Sequence, residues 1–556
     1  MNYITRNRSR SMTLSFARWT MVFLGFPFAL WACVSHPLAQ PIPEPRQVTD
    51  AYITVAPVRH LDLLFMVDNS PSMKPKQDKM KAQFPKLIDA LRDPDDQTLP
   101  DLRIAIVDSD LGAGKSTRCS ATGGYGDKGQ FQMRGAADCG ADADARWLEY
   151  TKGQAINFSG DVSTVFGCLA SNVGVGGCGY EHQLAALEWA FYLGDNKSQW
   201  DFLRPEAYLG IVLLTDEDDC SAPPETRMFQ PLDPSESGSL RCATRAHQCD
   251  GVTLTYPTTA PVSAPYESCH ARTDTTCDES KVDTSSATSC NPLMSLSQLA
   301  DEVKRLKGEG SEAEGKILVA GIYGTPRAGD PTTRPYKIDL TPNPDAPPSP
   351  IAQVYDYWPV CYDPDFMPAG SGFDKTAADH GATGGLRIKA FLDQFKPGNR
   401  LDYSICESDF GPAMDGIGKA LRNLMGDLCV PFKLADSSDE SGIQADCRVV
   451  YRIPRTVMSD AGIASIVYDE NPDSLPRCDA SRTPECWEVK FGNASGTADE
   501  QETAKRCPVK GSAPSQMINI VRKPGTTLVE GTKVGMQCVT CVDLVAGMKP
   551  IKGCDY

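Results

Sequence analysis

Histidine is scarce in this chain: 6 of its 556 residues are histidines, scattered without the spacing that metal ligands need. No Gly-x-Ser-x-Gly elbow and no ordered set of Ser, His and Asp stands out. A phosphate-binding glycine loop is incomplete, because Ser109 occupies the place of the first glycine before Gly114-Lys115-Ser116. The sequence therefore offers no motif for histidine-based metal sites, serine hydrolase chemistry or nucleotide binding.

Positive charge is also in short supply. The chain has 55 Lys and Arg residues against 72 Asp and Glu residues, which gives a net charge of −17. Because an acidic surface repels phosphates, this balance argues against nucleic acid as a partner. An acidic partner could approach if a bound divalent cation supplied the attraction, although solubility alone is the simpler reason for such a charge.

Long apolar runs are absent beyond the N-terminus. Four arginines precede or border the apolar stretch 21–32, so residues 1–32 are predicted to be a secretory signal peptide, too short for a membrane span. Leu30-Trp31-Ala32-Cys33 resembles the bacterial lipobox, which predicts a lipid on Cys33. Cleavage after Ala39 is the alternative. We therefore expect an exported cell-envelope protein, which is either anchored to the outer membrane through this lipid alone or secreted.

Cysteine, in contrast, is abundant. The chain has 21 cysteines, and setting Cys33 aside as a lipid anchor leaves an even number for pairing. So many cysteines in an exported chain indicate disulfides and an oxidising compartment. Cys538-Val539-Thr540-Cys541 is accordingly assigned to the disulfides rather than to redox or zinc chemistry.

Apolar strands alternate with amphipathic helices over residues 58–430. This pattern predicts an α/β fold with a doubly wound, mostly parallel sheet. Residues near 220–292 and 324–380 interrupt it with cysteine, proline and polar residues, so both are predicted to be insertions, rich in disulfides. The strands expected in the sheet are 61–67, 102–107, 209–214, 316–322 and 401–406.

The segments on either side of this α/β region have a different composition. Residues 33–57 are rich in Pro and Gln and are predicted to be a tether. Residues 431–556 carry seven cysteines and short apolar runs between turn residues. They are predicted to form a small, cysteine-rich β module.

Oxygen-bearing side chains follow two of the predicted strands. Asp68-Asn69-Ser70-Pro71-Ser72 comes directly after strand 61–67, and Asp216 follows strand 209–214. In open α/β sheets ligands bind beyond the carboxyl ends of the strands, so these two loops can meet at one site. A carboxylate with hydroxyl oxygens suits a hard cation such as Mg²⁺.

In this setting the motif resembles the metal-ion-dependent adhesion site of von Willebrand factor type A domains, whose pattern is Asp-x-Ser-x-Ser after the first strand. The resemblance covers residues 58–430. It implies that Asp68, Ser70, Ser72 and Asp216 hold Mg²⁺, or Mn²⁺ or Ca²⁺, with one position left for an acidic residue of a partner protein. A second match at 233–237 follows no strand and is interpreted as a coincidence.

Two features depart from this pattern. The family usually places a threonine before a later helix, whereas here Glu181 is the nearest oxygen donor. Glu181 either replaces the threonine as a ligand or only favours the helix N-terminus electrostatically. Glu217, Asp218 and Asp219 extend Asp216 into a run of acids, which is either solvated or helps to hold a second cation such as Ca²⁺.

Three functions are compatible with these residues. The leading hypothesis is a cell-surface adhesion protein without enzymatic activity, which binds an acidic group of a protein ligand through the cation. The first alternative is a metal-dependent hydrolase that uses the acids at 216–219. The second is a structural envelope lipoprotein whose metal site is not functional.

Overall fold

A computed structural model describes most of the chain between residues 47 and 540. The predicted signal peptide and Cys33 lie outside the described residues. Within them, no helix is both long enough and apolar enough to cross a bilayer. The described ranges are 47–54, 59–93, 97–113, 126–223, 227–229, 237–254, 265–272, 291–308, 310–326, 330–342, 353–370, 373–426, 429–430, 433–435, 445–458, 464–478, 485–507, 515–521, 528–529 and 532–540.

Strands and helices alternate through the first two thirds of the chain. The strands are β1 (Gln47–Thr54), β2 (His60–Val67), β3 (Asp101–Asp108), β4 (Leu148–Thr151), β5 (Gln154–Ala155), β6 (Tyr208–Leu214), β7 (His247–Cys249), β8 (Val252–Thr253), β9 (Cys269–Ala271), β10 (Ile317–Tyr323), β11 (Ile338–Pro342), β12 (Gln353–Tyr357), β13 (Cys361–Tyr362), β14 (Gly381–Ala382), β15 (Arg400–Ser404), β16 (Cys447–Met458), β17 (Ala464–Glu470), β18 (Cys486–Phe491), β19 (Gln516–Val521) and β20 (Lys533–Thr540). The helices are α1 (Lys74–Leu91), α2 (Val162–Asn172), α3 (Gln183–Tyr192), α4 (Gly238–Ala246), α5 (Leu296–Arg305), α6 (Ser311–Glu314), α7 (Lys375–Asp379), α8 (Leu386–Leu392), α9 (Gly411–Gly426) and α10 (Ala498–Arg506).

The central sheet has seven strands in the order β15-β10-β6-β2-β3-β4-β5. The strands from β15 to β3 are parallel, and β4 and β5 add an antiparallel edge. The prediction of an α/β fold with a mostly parallel sheet is therefore confirmed. From β2 the chain continues to β3 on one side, whereas β6 lies on the other side. This reversal leaves a crevice beyond the carboxyl ends of β2 and β6.

Helices cover both faces of this sheet. Phe65 and Val67 of β2 belong to the apolar core with α1, α2 and α9, whereas Leu64 and Met66 belong to the core with α3, α5 and α8. Successive side chains of a strand point to opposite faces, so a strand covered on both faces is apolar throughout. The loop after β2 therefore starts from a strand that is fixed on both sides.

Both predicted insertions contain disulfides. The first carries α4 and the small sheet β8-β7-β9, with the disulfides Cys220–Cys242 and Cys249–Cys269. In the second, β11 pairs with β12 and β13 pairs with β14. Cys361–Cys406 ties the second insertion to the loop after β15. The covalent link holds this insertion at the carboxyl end of the central sheet.

A second sheet, in the order β1-β20-β16-β17, lies in the C-terminal part together with the pair β18 and β19. Residues 47–54, at the end of the segment 33–57 that was predicted to be a tether, form β1 and pair antiparallel with β20. Backbone pairing at a sheet edge does not depend on the apolar pattern that strand prediction requires. Cys429–Cys507, Cys447–Cys538 and Cys478–Cys486 link the described cysteines of this part.

Two glutamates meet where α3 packs against α5. The Oε2 atoms of Glu188 and Glu302 are buried and have no hydrogen-bond partner among the described residues. Burial raises the pKa of Glu188 from 4.5 to about 7, and the negative charge of Glu302 is the next cause. A single proton shared by the two carboxyl groups would give both oxygens a partner.

This pair predicts a pH-dependent stability. The folded state binds the proton more tightly than the unfolded chain, so the stabilisation is complete below about pH 4.5 and is lost as the pH rises through about 7. We expect Glu188→Gln to be about 1 kcal/mol more stable than the wild type at pH 8 but not at pH 4.5, allowing for solvent screening of this partly exposed pair. Thermal unfolding at both pH values measures the difference. Asp301→Asn, an exposed carboxyl of α5, is the control, and equal shifts at both pH values would contradict the prediction.

Candidate metal centre

Asp68 joins the two strand ends at the crevice. It follows β2 directly, and its backbone N–H donates to the carbonyl of Leu214 at 2.9 Å. Its side chain is fully buried: Oδ1 accepts from the N–H of Ser70 at 2.7 Å, and Oδ2 accepts from Oγ1 of Thr215 at 2.7 Å. Burial, followed by the charge of Asp216, raises the pKa of Asp68 from 3.8 to about 6. The carboxyl is therefore fixed in place and strongly desolvated.

The two serine hydroxyls lie beside Asp68 at the start of α1. Oγ of Ser70 and Oγ of Ser72 are 3.2 Å apart, so either can donate to the other. Ser70 is buried, Ser72 is half-buried and Pro71 between them is exposed. The two hydroxyls thus converge, and the site is open to solvent at Pro71 and Ser72.

Asp216 reaches the same site from β6. Its Oδ2 accepts from Nζ of Lys76 at 2.7 Å, whereas its Oδ1 is buried without a hydrogen-bond partner in the described part of the chain. Lys76 also donates to the backbone carbonyl of Ser72 at 3.1 Å. Lys76 therefore connects the loop after β2 with the carboxylate after β6, and one oxygen of that carboxylate remains available.

Glu181 lies just before α3 and completes the set of predicted ligands. Its Oε2 accepts from the hydroxyl of Ser109, and its Oε1 is buried with no partner among the described residues. Burial raises the pKa of Glu181 well above its usual range, and the charges of Asp68 and Glu217 are the next causes. Asp68 is thus hydrogen-bonded to Ser70 and to Thr215, the neighbour of Asp216, and its charge contributes to the raised pKa of Glu181. That these residues share one ion stays a prediction, and Cys33 lies outside the described residues.

Two further residues belong to this site although the sequence analysis did not assign them to it. Thr215 is buried, and its hydroxyl binds Asp68 while it accepts from Nε2 of Gln183 at 2.7 Å. Burial and the charges of Asp216 and Asp68 raise the pKa of Glu217 well above its usual range, and Glu217 accepts from the hydroxyl of Ser239 at 3.1 Å. Their position beside Asp216 at the end of an apolar strand was the available signal.

The next two acids, Asp218 and Asp219, are paired with other parts of the chain. Asp218 accepts from Nε2 of His247 at 2.6 Å and from the backbone N–H groups that begin α8. Asp219 accepts from Nε of Arg387 at 3.0 Å and from the N–H of Leu184 at 3.0 Å. Both are buried. The interpretation of a solvated run is therefore wrong for Asp218 and Asp219, because His247, the N-terminus of α8 and Arg387 pair these carboxylates. The alternative of a second cation stays a prediction.

The second insertion borders the site. The N–H of Thr383 donates to the backbone carbonyl of Asp216 at 2.8 Å, and Lys76 donates to the carbonyl of Asp379 at 2.5 Å. Lys79, one turn further along α1, pairs with buried Asp363. The segment 361–383 is thus fastened to both loops that carry the predicted ligands.

A cavity of about 330 Å³ adjoins the loop after β2. Asn69 lines it, together with Asp110, Asp127 and Arg134. The Nδ2 group of Asn69 donates to Asp108 at 3.2 Å. The loop that carries Asp68 and Ser70 therefore has free volume next to it.

The site has a clear excess of negative charge. Asp68, Glu181 and Glu217 each have a raised pKa to which neighbouring carboxylates contribute, and Lys76 pairs with Asp216 beside them. Among those residues no group of three or more His, Cys, Asp or Glu side chains is placed to hold a metal ion by itself. The donor set is mixed, and its hydroxyls and its two unpartnered carboxylate oxygens suit a hard cation.

Comparisons with known proteins leave the family open. No family model matches the chain, and no curated protein matches it. Similar solved structures include the pilus adhesin SpaC from Lactobacillus rhamnosus GG in its open conformation, at 10% identity and a TM-score of 0.26, over 91% of this chain and 43% of SpaC. Another is the three N-terminal domains of the type V pili tip protein Mfa5 from Porphyromonas gingivalis, at 10% identity and a TM-score of 0.23, over 89% of this chain and 68% of that one. The chain spans less than half the length of SpaC.

Proposed function

We propose that this protein is an exported binding protein that holds a divalent cation, Mg²⁺, Mn²⁺ or Ca²⁺, and binds an acidic group of a partner protein through it. Asp68, Ser70, Ser72 and Asp216 would hold the ion, with Glu181 beside them. The observation that carries the proposal is the buried carboxylate oxygens Oδ1 of Asp216 and Oε1 of Glu181, which lack partners among the described residues. Buried acceptors of this kind cost free energy unless something pairs with them.

The position of these residues supports the same proposal. The order of the strands reverses between β2 and β6, and the ligands follow these two strands, as the von Willebrand factor type A resemblance implies. Ser72 and Pro71 leave one side accessible. A bound divalent cation would supply the positive charge that this acidic protein otherwise lacks for an acidic partner. Binding of this kind makes and breaks no covalent bond, so we propose no enzymatic role.

The test is cation binding by the exported chain, measured by calorimetry with Mn²⁺, Mg²⁺ and Ca²⁺. We expect Asp68→Asn to weaken Mn²⁺ binding about 100-fold or more, because it removes one of the few charged ligands while keeping the side-chain shape. Asp402→Asn, an exposed carboxyl of β15, is the matched control and should leave the affinity unchanged. Circular dichroism establishes that both variants fold.

The position open to a partner needs its own measurement. With Mn²⁺ bound, water-proton relaxation reports water molecules that exchange at the ion. A glutamate-containing synthetic peptide should reduce this relaxation if its carboxylate takes their place, whereas the same peptide with glutamine should not. If Mn²⁺ binds but the acidic peptide does not change the relaxation of the water protons, the protein has a cation site and the proposed adhesive role is wrong.

One observation favours a second candidate, a structural envelope protein with no functional metal site. Lys76 already occupies Oδ2 of Asp216 and is fixed there by its other hydrogen bonds. No cation binding by calorimetry would favour this candidate. The hydrolase alternative has less support, because Asp218 and Asp219 are engaged with His247 and Arg387.

A further inference from the structure

Lys76 is an unusual neighbour for a cation site. It lies in the first turn of α1 and is only 2% exposed, although lysine side chains are rarely buried. An ammonium group has three N–H donors, and Nζ of Lys76 has three acceptors: Oδ2 of Asp216 at 2.7 Å, the carbonyl of Ser72 at 3.1 Å and the carbonyl of Asp379 at 2.5 Å. The ammonium is therefore fully satisfied and fixed in one position.

Each of these acceptors comes from a different part of the chain. Ser72 belongs to the loop after β2, Asp216 to the loop after β6 and Asp379 to the second insertion. Lys76 consequently holds the two ligand loops at a fixed separation. It also adds one positive charge beside Asp216, whose negative charge contributes to the raised pKa of Asp68 and of Glu217.

The ammonium group of Lys76 affects a metal ion bound at Asp216 in two ways. Lys76 repels any ion bound at Oδ1 of Asp216, because the two oxygens of one carboxylate are close together. The repulsion is proportional to the charge of the ion, so it acts more strongly on a trivalent cation than on a divalent one. Lys76 also leaves Asp216 with one free oxygen rather than two, which excludes bidentate coordination.

We propose that Lys76 is the specificity-determining residue of this cation site: it weakens cation binding, keeps the ion exchangeable and discriminates against higher charge. The inference rests on the proposed function for the existence of the site. It goes further because it assigns the limit on cation affinity to one residue, Lys76.

The experiment compares Lys76→Met and Lys76→Gln with the wild type in calorimetry with Ca²⁺ and Mn²⁺ and in luminescence titration with Tb³⁺. We expect Lys76→Met to bind Ca²⁺ and Mn²⁺ about tenfold more tightly or better, and Tb³⁺ to gain by a larger factor than either. Lys86→Met is the matched control, because Lys86 lies on the same helix but is exposed and pairs with exposed Asp409. Its affinities should stay within about threefold of the wild type.

Lys76→Gln covers the case in which Lys76→Met does not fold, because it keeps two N–H donors without the charge. If wild type and variants bind cations equally, or the variants bind more weakly while remaining folded, the inference is overturned and the proposed function stands. If only the variants bind, Lys76 itself fills the site in the wild type, and the proposed function and the inference both fail. An equal gain for Ca²⁺ and Tb³⁺ would overturn the discrimination by charge.

Discussion

Replacing Asp62 with alanine is expected to lower the free energy of unfolding by about 3–5 kcal/mol. Asp62 lies in β2 and is fully buried, at the end of the sheet away from the candidate metal centre. Its Oδ1 accepts from Nε of Arg204 at 2.8 Å, and its Oδ2 accepts from Nζ of Lys307 at 2.7 Å. Burial already lowers the pKa of Lys307, while Asp62 opposes that change. Without Asp62, two buried or partly buried cations lose their common counter-ion.

Denaturant unfolding with the disulfides kept intact measures this loss. Asp393→Ala is the matched control, because Asp393 also accepts from two cations, Lys389 and Arg400, but lies at the surface. Exposed pairs of this kind contribute at most about 1 kcal/mol. A loss of similar size in both variants would show that burial does not decide the strength of the Asp62 network. The cation affinity should not change in either variant, because both residues lie away from Asp68.

Much of the α/β region could be predicted from the sequence because its signals are local. Apolar runs predicted β2, β3, β6 and β10 to within about a residue or two at each end, and the helical pattern of Met414, Ile417 and Leu421 predicted α9. The strand-end rule then placed Asp68 and Asp216 at one edge. These inferences need only a few neighbouring residues and the general behaviour of parallel sheets.

Other elements had no comparable local signal. The cysteine- and glycine-rich stretch 112–179 contains β4, β5 and α2, none of which the sequence analysis identified. The strands β4 and β5 are four and two residues long and lie at a sheet edge, so neither shows a long apolar run. The helix α2 is capped by Asp161, whose side chain accepts hydrogen bonds from the backbone N–H groups of Ser163 and Thr164. Glycines and cysteines around this helix obscure its apolar periodicity. Short edge strands are therefore the part of the sheet most easily missed.

The partners of the acidic side chains were not predictable either. Lys76 lies 140 residues from Asp216 in the sequence, and Arg387 lies 168 residues from Asp219. A run of four acids looks the same whether its partners are water, a metal ion or distant cations, because nothing in the run itself specifies them. The structure divides the run: Asp216 and Glu217 belong to the candidate metal centre, and Asp218 and Asp219 anchor its loop.

Arg387 is the residue through which that anchor can be tested. It is the second residue of α8 and is only 1% exposed. Its Nε donates to Oδ2 of Asp219 at 3.0 Å, and its Nη2 donates to the carbonyl of Met294 at 2.9 Å. Asp219 in turn accepts from the first turn of α3 and from the hydroxyl of Ser221 at 2.5 Å. The guanidinium thus fixes the loop that positions Asp216.

We expect Arg387→Met to lower the free energy of unfolding by about 3–5 kcal/mol, because it leaves the carboxylate of Asp219 buried without its cation. We also expect it to weaken Mn²⁺ binding by about tenfold, since a looser loop no longer presents Asp216 in a fixed position. Arg387→Lys keeps the positive charge but loses the forked geometry, and should fall between the methionine variant and the wild type in both measurements. Asp62→Ala provides the decisive comparison, because it has a similar loss of stability at the other end of the sheet. If Asp62→Ala and Arg387→Met weaken Mn²⁺ binding equally, lower overall stability accounts for the effect, and the anchoring role of Arg387 is wrong.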